Sequence, residues 1–182
     1  MEKRIYIIRH CAAEGQPSEA RLTSLGIKQS IKLSEFFEAK SINRIISSPF
    51  LRAIKTIEPI SQRKNLSIEI DNRLSERILS TQDYPDWLEK LEKTFDDLDV
   101  KYEGGESSIE AMNRIVQLIE EVVCSDYLNT IIVTHGNLMS LLLKHFDHEF
   151  GFENWKNLSN PDVYLIRMKE LHTSVKRIWK IS

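Results

Sequence analysis

Two cysteines, five prolines and six glycines are all that this 182-residue chain holds of the residues that staple or break structure. Cys11 and Cys124 stand far apart and in no paired spacing. That excludes a disulfide framework and a cysteine-built metal or redox site, and it fits a reducing, cytoplasmic setting. With so little Gly and Pro there is no linker, low-complexity tract or internal repeat. Long apolar runs are missing too. The chain passes from Met1-Glu2-Lys3-Arg4 into an apolar run, Ile5 to Ile8, too short for a signal peptide. No segment approaches the length of a membrane span. A basic excess is also absent, with 25 Lys+Arg against 27 Asp+Glu and a formal charge of -2. A general nucleic-acid surface is therefore not expected, and any attraction for an anion must be local.

What is present is a globular balance of 41% hydrophobic and 29% charged residues. Residues 1–182 read as a single domain able to bury a core without a disulfide or metal. Short apolar runs alternate with longer amphipathic ones, the pattern of α/β units. Strands are expected at Ile5–Ile8, Ile45–Ser47, Ile68–Ile70 and Ile131–Thr134, with a closing hairpin-like pair at Val163–Arg167 and Val175–Ile181. Thr23 opens a helix running to about Lys40. Ser48 reads as an N-cap with Pro49 at the first helical position, and Pro59 is expected to kink or end that helix. Residues 78–103 form an excursion whose helix, about Tyr84 to Leu98, spaces Trp87, Leu88, Leu91 and Phe95 helically. Gly104-Gly105 is a turn, and Ser107 with Glu110 forms a capping box. The helix behind it shows a stripe of Ile109, Met112, Val116, Ile119 and Val123, and Cys124 is expected in the core. A further helix spans Leu138 to His145.

The chemistry gathers where strands end. His10 and His135 each follow a strand directly, and Arg52 and Glu76 come soon after two others. Open α/β sheets bind ligands outside the carboxyl ends of their strands. If these strands are parallel and adjacent, four ionisable groups converge. Phosphoryl transfer would use such a set. Arginine matches the oxygen fork of a phosphate, and Arg9 and Arg52 are the candidates. A neutral imidazole can attack phosphorus, and a carboxylic acid, Glu76, can protonate the leaving oxygen. The bound dianion would favour the protonated carboxyl. His135 could donate to the phosphoryl oxygens, helped by backbone N–H groups of the helix opening at Gly136-Asn137.

The ordered set Arg9-His10, Ser48-Pro49-Phe50-Leu51-Arg52-Ala53-Ile54-Lys55-Thr56, Arg73-Leu74-Ser75-Glu76, Gly104-Gly105-Glu106-Ser107 and Thr134-His135-Gly136-Asn137 resembles the histidine phosphatase superfamily, in its phosphoglycerate-mutase-like branch. Leu22-Thr23-Ser24-Leu25-Gly26 with Gln29, and Asn160-Pro161-Asp162-Val163, resemble its secondary signatures. The resemblance covers nearly the whole chain. It implies a three-layer α/β/α sandwich with a mostly parallel central sheet. His10 would be the phosphorylated nucleophile, with Arg9, Arg52 and His135 completing the phosphate pocket. Glu76 would be general acid, then base toward water. The family needs no metal and no organic cofactor. Its partner would be a small-molecule phosphate ester, not nucleic acid or membrane. The oligomeric state stays open.

The departures are informative. Where the family continues Arg-His-Gly with an acidic and a hydroxyl residue, this chain has Cys11, Ala12 and Ala13. The family's phosphate-contacting Asn falls at Gln16, which keeps the amide with a longer reach. Its Gly-rich stretch ending in Trp-Glu-Gly is replaced by Arg77-Ile78-Leu79-Ser80-Thr81-Gln82, so the substrate wall differs. His10-Cys11 also suggests a cysteine-based tyrosine phosphatase loop. Its closing Arg would have to stand at Pro17, however, and the next Arg is Arg21. Cys11 is read as a small buried filler. His145, His148 and Glu149 lack metalloprotease spacing and read as a helix end.

The expected activity is metal-independent hydrolysis of phosphate monoesters through phosphohistidine. A phosphoglycerate or phosphosugar mutase is the alternative within the family; cofactor-dependent mutases look longer than this chain. A non-catalytic phospholigand-binding module is the alternative of another class. Retention of both histidines, both arginines and the acid counts against it. The Trp87 helix is expected to pack on the body or to line the pocket.

Overall fold

The computed structural model describes residues 1–169 and 172–179. Its elements, in chain order, are β1 (Lys3–Arg9), α1 (Ser24–Phe36), β2 (Arg44–Ser47), α2 (Leu51–Lys64), β3 (Ile68–Ile70), α3 (Trp87–Asp96), α4 (Ser108–Cys124), β4 (Asn129–Thr134), α5 (Gly136–Phe146), α6 (Phe152–Lys156), β5 (Asp162–Lys169) and β6 (His172–Arg177). The strands form one sheet in the order β3-β2-β4-β1-β5-β6. β1 runs parallel to β4, and β2 runs parallel to β4 and β3. β5 is antiparallel to β1 and to β6, which gives the expected closing pair. The last residues assigned to that pair, 180–181, lie outside the described residues.

Side chains on a strand alternate between faces, so a central strand must be apolar throughout. β1 is of this kind: Ile5 and Ile7 enter one core with α4 and α5, while Tyr6 and Ile8 enter the other with α1 and α2. Ile131 and Val133 against Ile132 do the same on β4. These two cores on opposite faces give three layers, α/β/α. Because β1, β2, β3 and β4 are parallel, their carboxyl ends share one edge. His10, Ser48, His135 and, after a short turn at Asn72–Leu74, Glu76 stand there.

Local signals hold for α1 and α4. Thr23 Oγ1 accepts the Gly26 N–H at 3.0 Å. Ser107 and Glu110 close the capping box, with N–H donations of 3.2 and 2.8 Å. The excursion is closed at its base by Thr81 N–H to the Glu103 carbonyl and Glu106 N–H to the Ile78 carbonyl. Gly104 (φ 68°) is required here: a Cβ would lie 2.2 Å from Thr81 Oγ1.

Four local readings differ. Ser48 is not the cap of α2, which begins at Leu51 with Phe50 as its N-cap and no side-chain cap. Ser48's hydroxyl accepts the Phe50 N–H at 3.3 Å, ahead of the helix, and meets a buried histidine, described below. Pro59 does not end α2, which continues to Lys64. Ile57 and Ile60, on either side of it, are fully buried. Burying two such side chains, at about 1.5–3 kcal/mol each, outweighs the roughly 3 kcal/mol cost of an interior proline. The buried stripe of α4 is rotated from the expected one and runs through Ala111, Met112, Ile115, Leu118, Ile119 and Val122, with Ile109, Val116 and Val123 only partly buried. For the same reason Cys124 is exposed, because two positions past Val122 lead off the packed face.

Candidate active site

His10 leaves β1 through a hydrogen bond from its N–H to the Thr134 carbonyl on β4 (3.1 Å). Beyond it the chain is fixed from several sides. Cys11 N–H donates to Thr56 Oγ1 (2.8 Å) and Ala12 N–H to Gln29 Oε1 (2.9 Å). The His10 carbonyl accepts from Asn160 Nδ2 (2.7 Å), and the Ala12 carbonyl accepts the Thr23 N–H (3.0 Å). Gly26 lets α1 approach this loop, since a Cβ there would lie 2.0 Å from the Ala12 carbonyl oxygen.

The imidazole of His10 is oriented as firmly as its backbone. Nδ1 lies 2.7 Å from the Cys11 carbonyl oxygen, an acceptor only, so Nδ1 carries the proton. Arg52 Nε–H donates to Nε2 at 3.2 Å, so Nε2 presents its lone pair. Burial, then the Arg52 and Arg9 guanidiniums, lower the pKa of His10 to about 4, against the opposing pull of the Cys11 carbonyl. The ring is neutral at pH 7, as a nitrogen nucleophile must be.

Arg52 is fully buried. Its Nη1 donates to the Gln16 and Pro17 carbonyls at 3.0 and 2.8 Å, and its guanidinium lies 4.8 Å from the Phe50 ring centre. Burial pulls Arg52 and Arg9 below the usual arginine range, and the Glu76 carboxylate opposes this in both. Arg9 donates from Nη1 to the Leu158 carbonyl (3.0 Å), while its buried Nε has no partner. Gly136 makes room for that guanidinium: a Cβ would meet Arg9 Nε at 3.0 Å. Glu76 sits on the start of α5, where its carboxylate accepts the N–H groups of Asn137 (3.0 Å) and Leu138 (2.9 Å) and that of Arg77.

His135 is fully buried, its ring centre 5.1 Å from that of His10 and 4.8 Å from that of Phe50. Its Nε2 lies 2.7 Å from Ser48 Oγ, and its Nδ1 has no partner. Burial, then His10 and the neighbouring arginines, hold its pKa well below the ordinary value. The side-chain amide of Asn137 is buried and unpartnered at both atoms. Buried polar groups are almost always satisfied, so Arg9 Nε, His135 Nδ1 and the Asn137 amide mark a place built for an anionic or polar ligand.

A cavity of about 560 Å³ opens over this cluster. Of the residues singled out in the sequence, Arg9, His10, Gln16, Glu76, Gly136 and Asn137 line it. Arg52 and His135, the other two predicted residues, are fully buried and stand against the His10 ring, Arg52 by its Nε–H and His135 with its ring centre 5.1 Å away. Trp87 and Leu91 of α3 line the cavity, while Phe95 packs in the core. Cys11 is buried behind His10, its thiol pushed up to about 12 mainly by burial, which removes thiolate character. Among the described residues no group of three or more His, Cys, Asp or Glu side chains is placed to hold a metal, and no helix is long and apolar enough to cross a membrane.

Several supporting residues escaped the sequence reading. Ser48 was legible only as a cap and Thr56 only as a neighbour of Arg52. Asn160 stood in a quoted signature with no task assigned to it. Arg77 is buried: it donates from Nη1 to Thr94 Oγ1 and Ser108 Oγ and from Nε and Nη2 to the Glu106 carbonyl, joining α3 to α4 beside Glu76. A cation directly after the acid was its one signal.

Comparison with known proteins addresses the family and the fold. The histidine phosphatase superfamily (branch 1) matches over residues 5–180. A putative phosphoserine phosphatase 2 of Hydrogenobacter thermophilus is 30% identical over 156 residues, 78% of this chain and 77% of that protein. A probable phosphoglycerate mutase of Proteus mirabilis is 27% identical over 164 residues, 77% of this chain and 73% of that one. The structure of a mycobacterial glucosyl-3-phosphoglycerate phosphatase with inorganic phosphate superposes with a TM-score of 0.79 at 22% identity, over 99% of this chain and 98% of that chain. The strand ends that carry His10, His135 and, after a short turn, Glu76 share one edge of a sheet in this fold, and the chain belongs to the histidine phosphatase superfamily, branch 1.

Proposed function

We propose that this chain is a phosphatase that hydrolyses phosphate monoesters through a phosphohistidine on His10. The observation that carries the reading is the His10 imidazole: Nδ1–H is committed to the Cys11 carbonyl, and Nε2 keeps its lone pair beside Arg52. In the first step Nε2 attacks phosphorus and the bond from phosphorus to the ester oxygen breaks. The departing oxygen takes the proton of the Glu76 carboxyl. In the second step the Glu76 carboxylate takes a proton from water, the hydroxyl oxygen attacks phosphorus, and the P–N bond breaks. Phosphate leaves and His10 regains its lone pair. Arg9, Arg52, His135 and the Asn137 amide bind the phosphoryl oxygens, and Gln16 and Gly136 complete the rim, while the Asn137 N–H holds the Glu76 carboxylate. The chemistry needs no metal or organic cofactor, because imidazole, guanidinium and carboxyl supply nucleophile, charge and proton. The names of the phosphatase relatives support hydrolysis, and the setting we propose is the cytoplasm.

The test is turnover of an aryl phosphate together with trapping of label from a ³²P-ester. Wild type is expected to release phosphate and to carry acid-labile, base-stable label, and His10→Ala to lose both. Turnover that survives in His10→Ala overturns the mechanism. Phosphate migration without release would select a mutase, and binding without turnover a non-catalytic module.

A further inference from the structure

We infer that the preferred substrates are phosphomonoesters of apolar, ring-bearing alcohols that carry no second anionic group. The inference rests on the phosphatase reading and extends it to the leaving group. The cavity has two kinds of lining. The polar lining gathers Arg9, His10, Glu76 and Asn137 at the strand ends and the start of α5, with Gln16, Asn160 and Arg77 beside them. The remainder is largely apolar: Trp87 and Leu91 from α3, Leu79 from the excursion, Trp155 from α6, and Ala12 and Ala13 from the loop after His10. Trp87 leaves half of its surface (50%) exposed and Trp155 is half-buried, so both indoles retain area for a ligand to cover. The two helices that carry them are braced by the Phe95–Phe152 contact, with ring centres 6.1 Å apart.

Charge decides against the alternatives. A substrate with a carboxylate or a second phosphate needs a second cation. Among the described residues, Arg9 and Arg77 are the only lysine or arginine side chains on the cavity wall. Arg9 belongs to the phosphoryl end, wedged against Gly136 and held by the Leu158 carbonyl. Arg77 spends its guanidinium on the Glu106 carbonyl, Thr94 and Ser108. A second anion would therefore lose water against indole and aliphatic surface with no countercharge, whereas a ring would gain burial.

Three esters of primary alcohols test this with comparable leaving groups: 2-phenylethyl phosphate, ethyl phosphate and O-phosphoserine. Wild type is expected to favour the phenylethyl ester in kcat/KM by about tenfold or more over each of the others. Trp87→Ala should cut the phenylethyl-to-ethyl ratio to less than about a third, chiefly through KM. Trp155→Leu, measured in parallel, should reduce the same ratio. Phosphoserine turned over as well as the phenylethyl ester, with all turnover still lost in His10→Ala, overturns the substrate class and leaves the phosphatase reading intact. A ratio unchanged in both tryptophan variants overturns the assignment to this wall. No turnover of any ester removes the phosphatase reading, and this inference with it.

Discussion

Burial and two nearby guanidiniums keep the His10 ring neutral, and the same forces make it a pH-sensitive component of the fold. Its pKa falls from the ordinary 6.5 to about 4, so the unfolded chain binds the proton more readily than the native one. Stability contributed by neutral His10 is full above about 6.5 and is lost as pH falls from there toward 4, with His135 acting in the same direction. An NMR titration of the His10 ring should find its midpoint near 4, and a midpoint near 6.5 would contradict the described surroundings. Ser48 is a positioning residue in the same sense. Its hydroxyl meets His135 Nε2 at 2.7 Å in a site closed to water. Ser48→Ala leaves that nitrogen unpaired at a cost of about 1–3 kcal/mol in stability. It should lower kcat more than it raises KM, with recovery in Ser48→Thr; an unchanged kcat would deny Ser48 this part. His10, Arg9 and Arg52 were legible in sequence because they stand at or soon after strand ends in a recognisable order. Ser48 was misread because a Ser-Pro pair before a helix has two outlets for its hydroxyl, the helix N–H groups and a neighbouring strand. Only the pairing of β2 with β4 decides between them.

At the scale of elements, α1 and α2 hold the loop that carries the chemistry. α1 approaches so closely that Gly26 has no room for a methyl group, the Ala12 carbonyl oxygen being 2.0 Å from its would-be Cβ. Gly26→Ala should push the loop and lower kcat/KM about tenfold or more. Gly15→Ala is the control, since its nearest new neighbour, Pro17 Cδ at 3.5 Å, is an ordinary contact. Equal activity in the two variants would refute the wedge. The helices and strands themselves were readable from periodicity, and the capping box of α4 from two residues. What periodicity missed was rotation and continuation. The α4 face turned until Cys124 fell outside it, and α2 ran through Pro59 because Ile57 and Ile60 are buried on either side. Both outcomes are set by packing partners distant in sequence. The excursion was expected as a helix, but the apolar wall that Trp87 builds with Trp155 joins residues of two helices separated by α4, β4 and α5.

Across the whole molecule, the order β3-β2-β4-β1-β5-β6 brings the ends of four parallel strands to one edge and turns the chain back at β5. The motifs predicted their own meeting place only on condition that the strands be parallel neighbours. The parallel pairing of β1 with β4, and of β2 with β4 and β3, supplies that condition. The loop after His10 is fastened to β4 through Thr134, to α1 through Gln29 and Thr23, to α2 through Thr56, and to the turn before β5 through Asn160. A segment with so many anchors in different layers has no route to melt alone. On the proposed function, the loop after His10 therefore serves as a gauge of global integrity. In a urea titration, loss of turnover and loss of far-ultraviolet circular dichroism should share one midpoint, and inactivation at clearly lower urea would show a loop that comes loose first. The same fastening spreads mutational sensitivity well beyond the cavity, because a fault in any of those layers reaches His10 or one of the two residues after it through a single hydrogen bond.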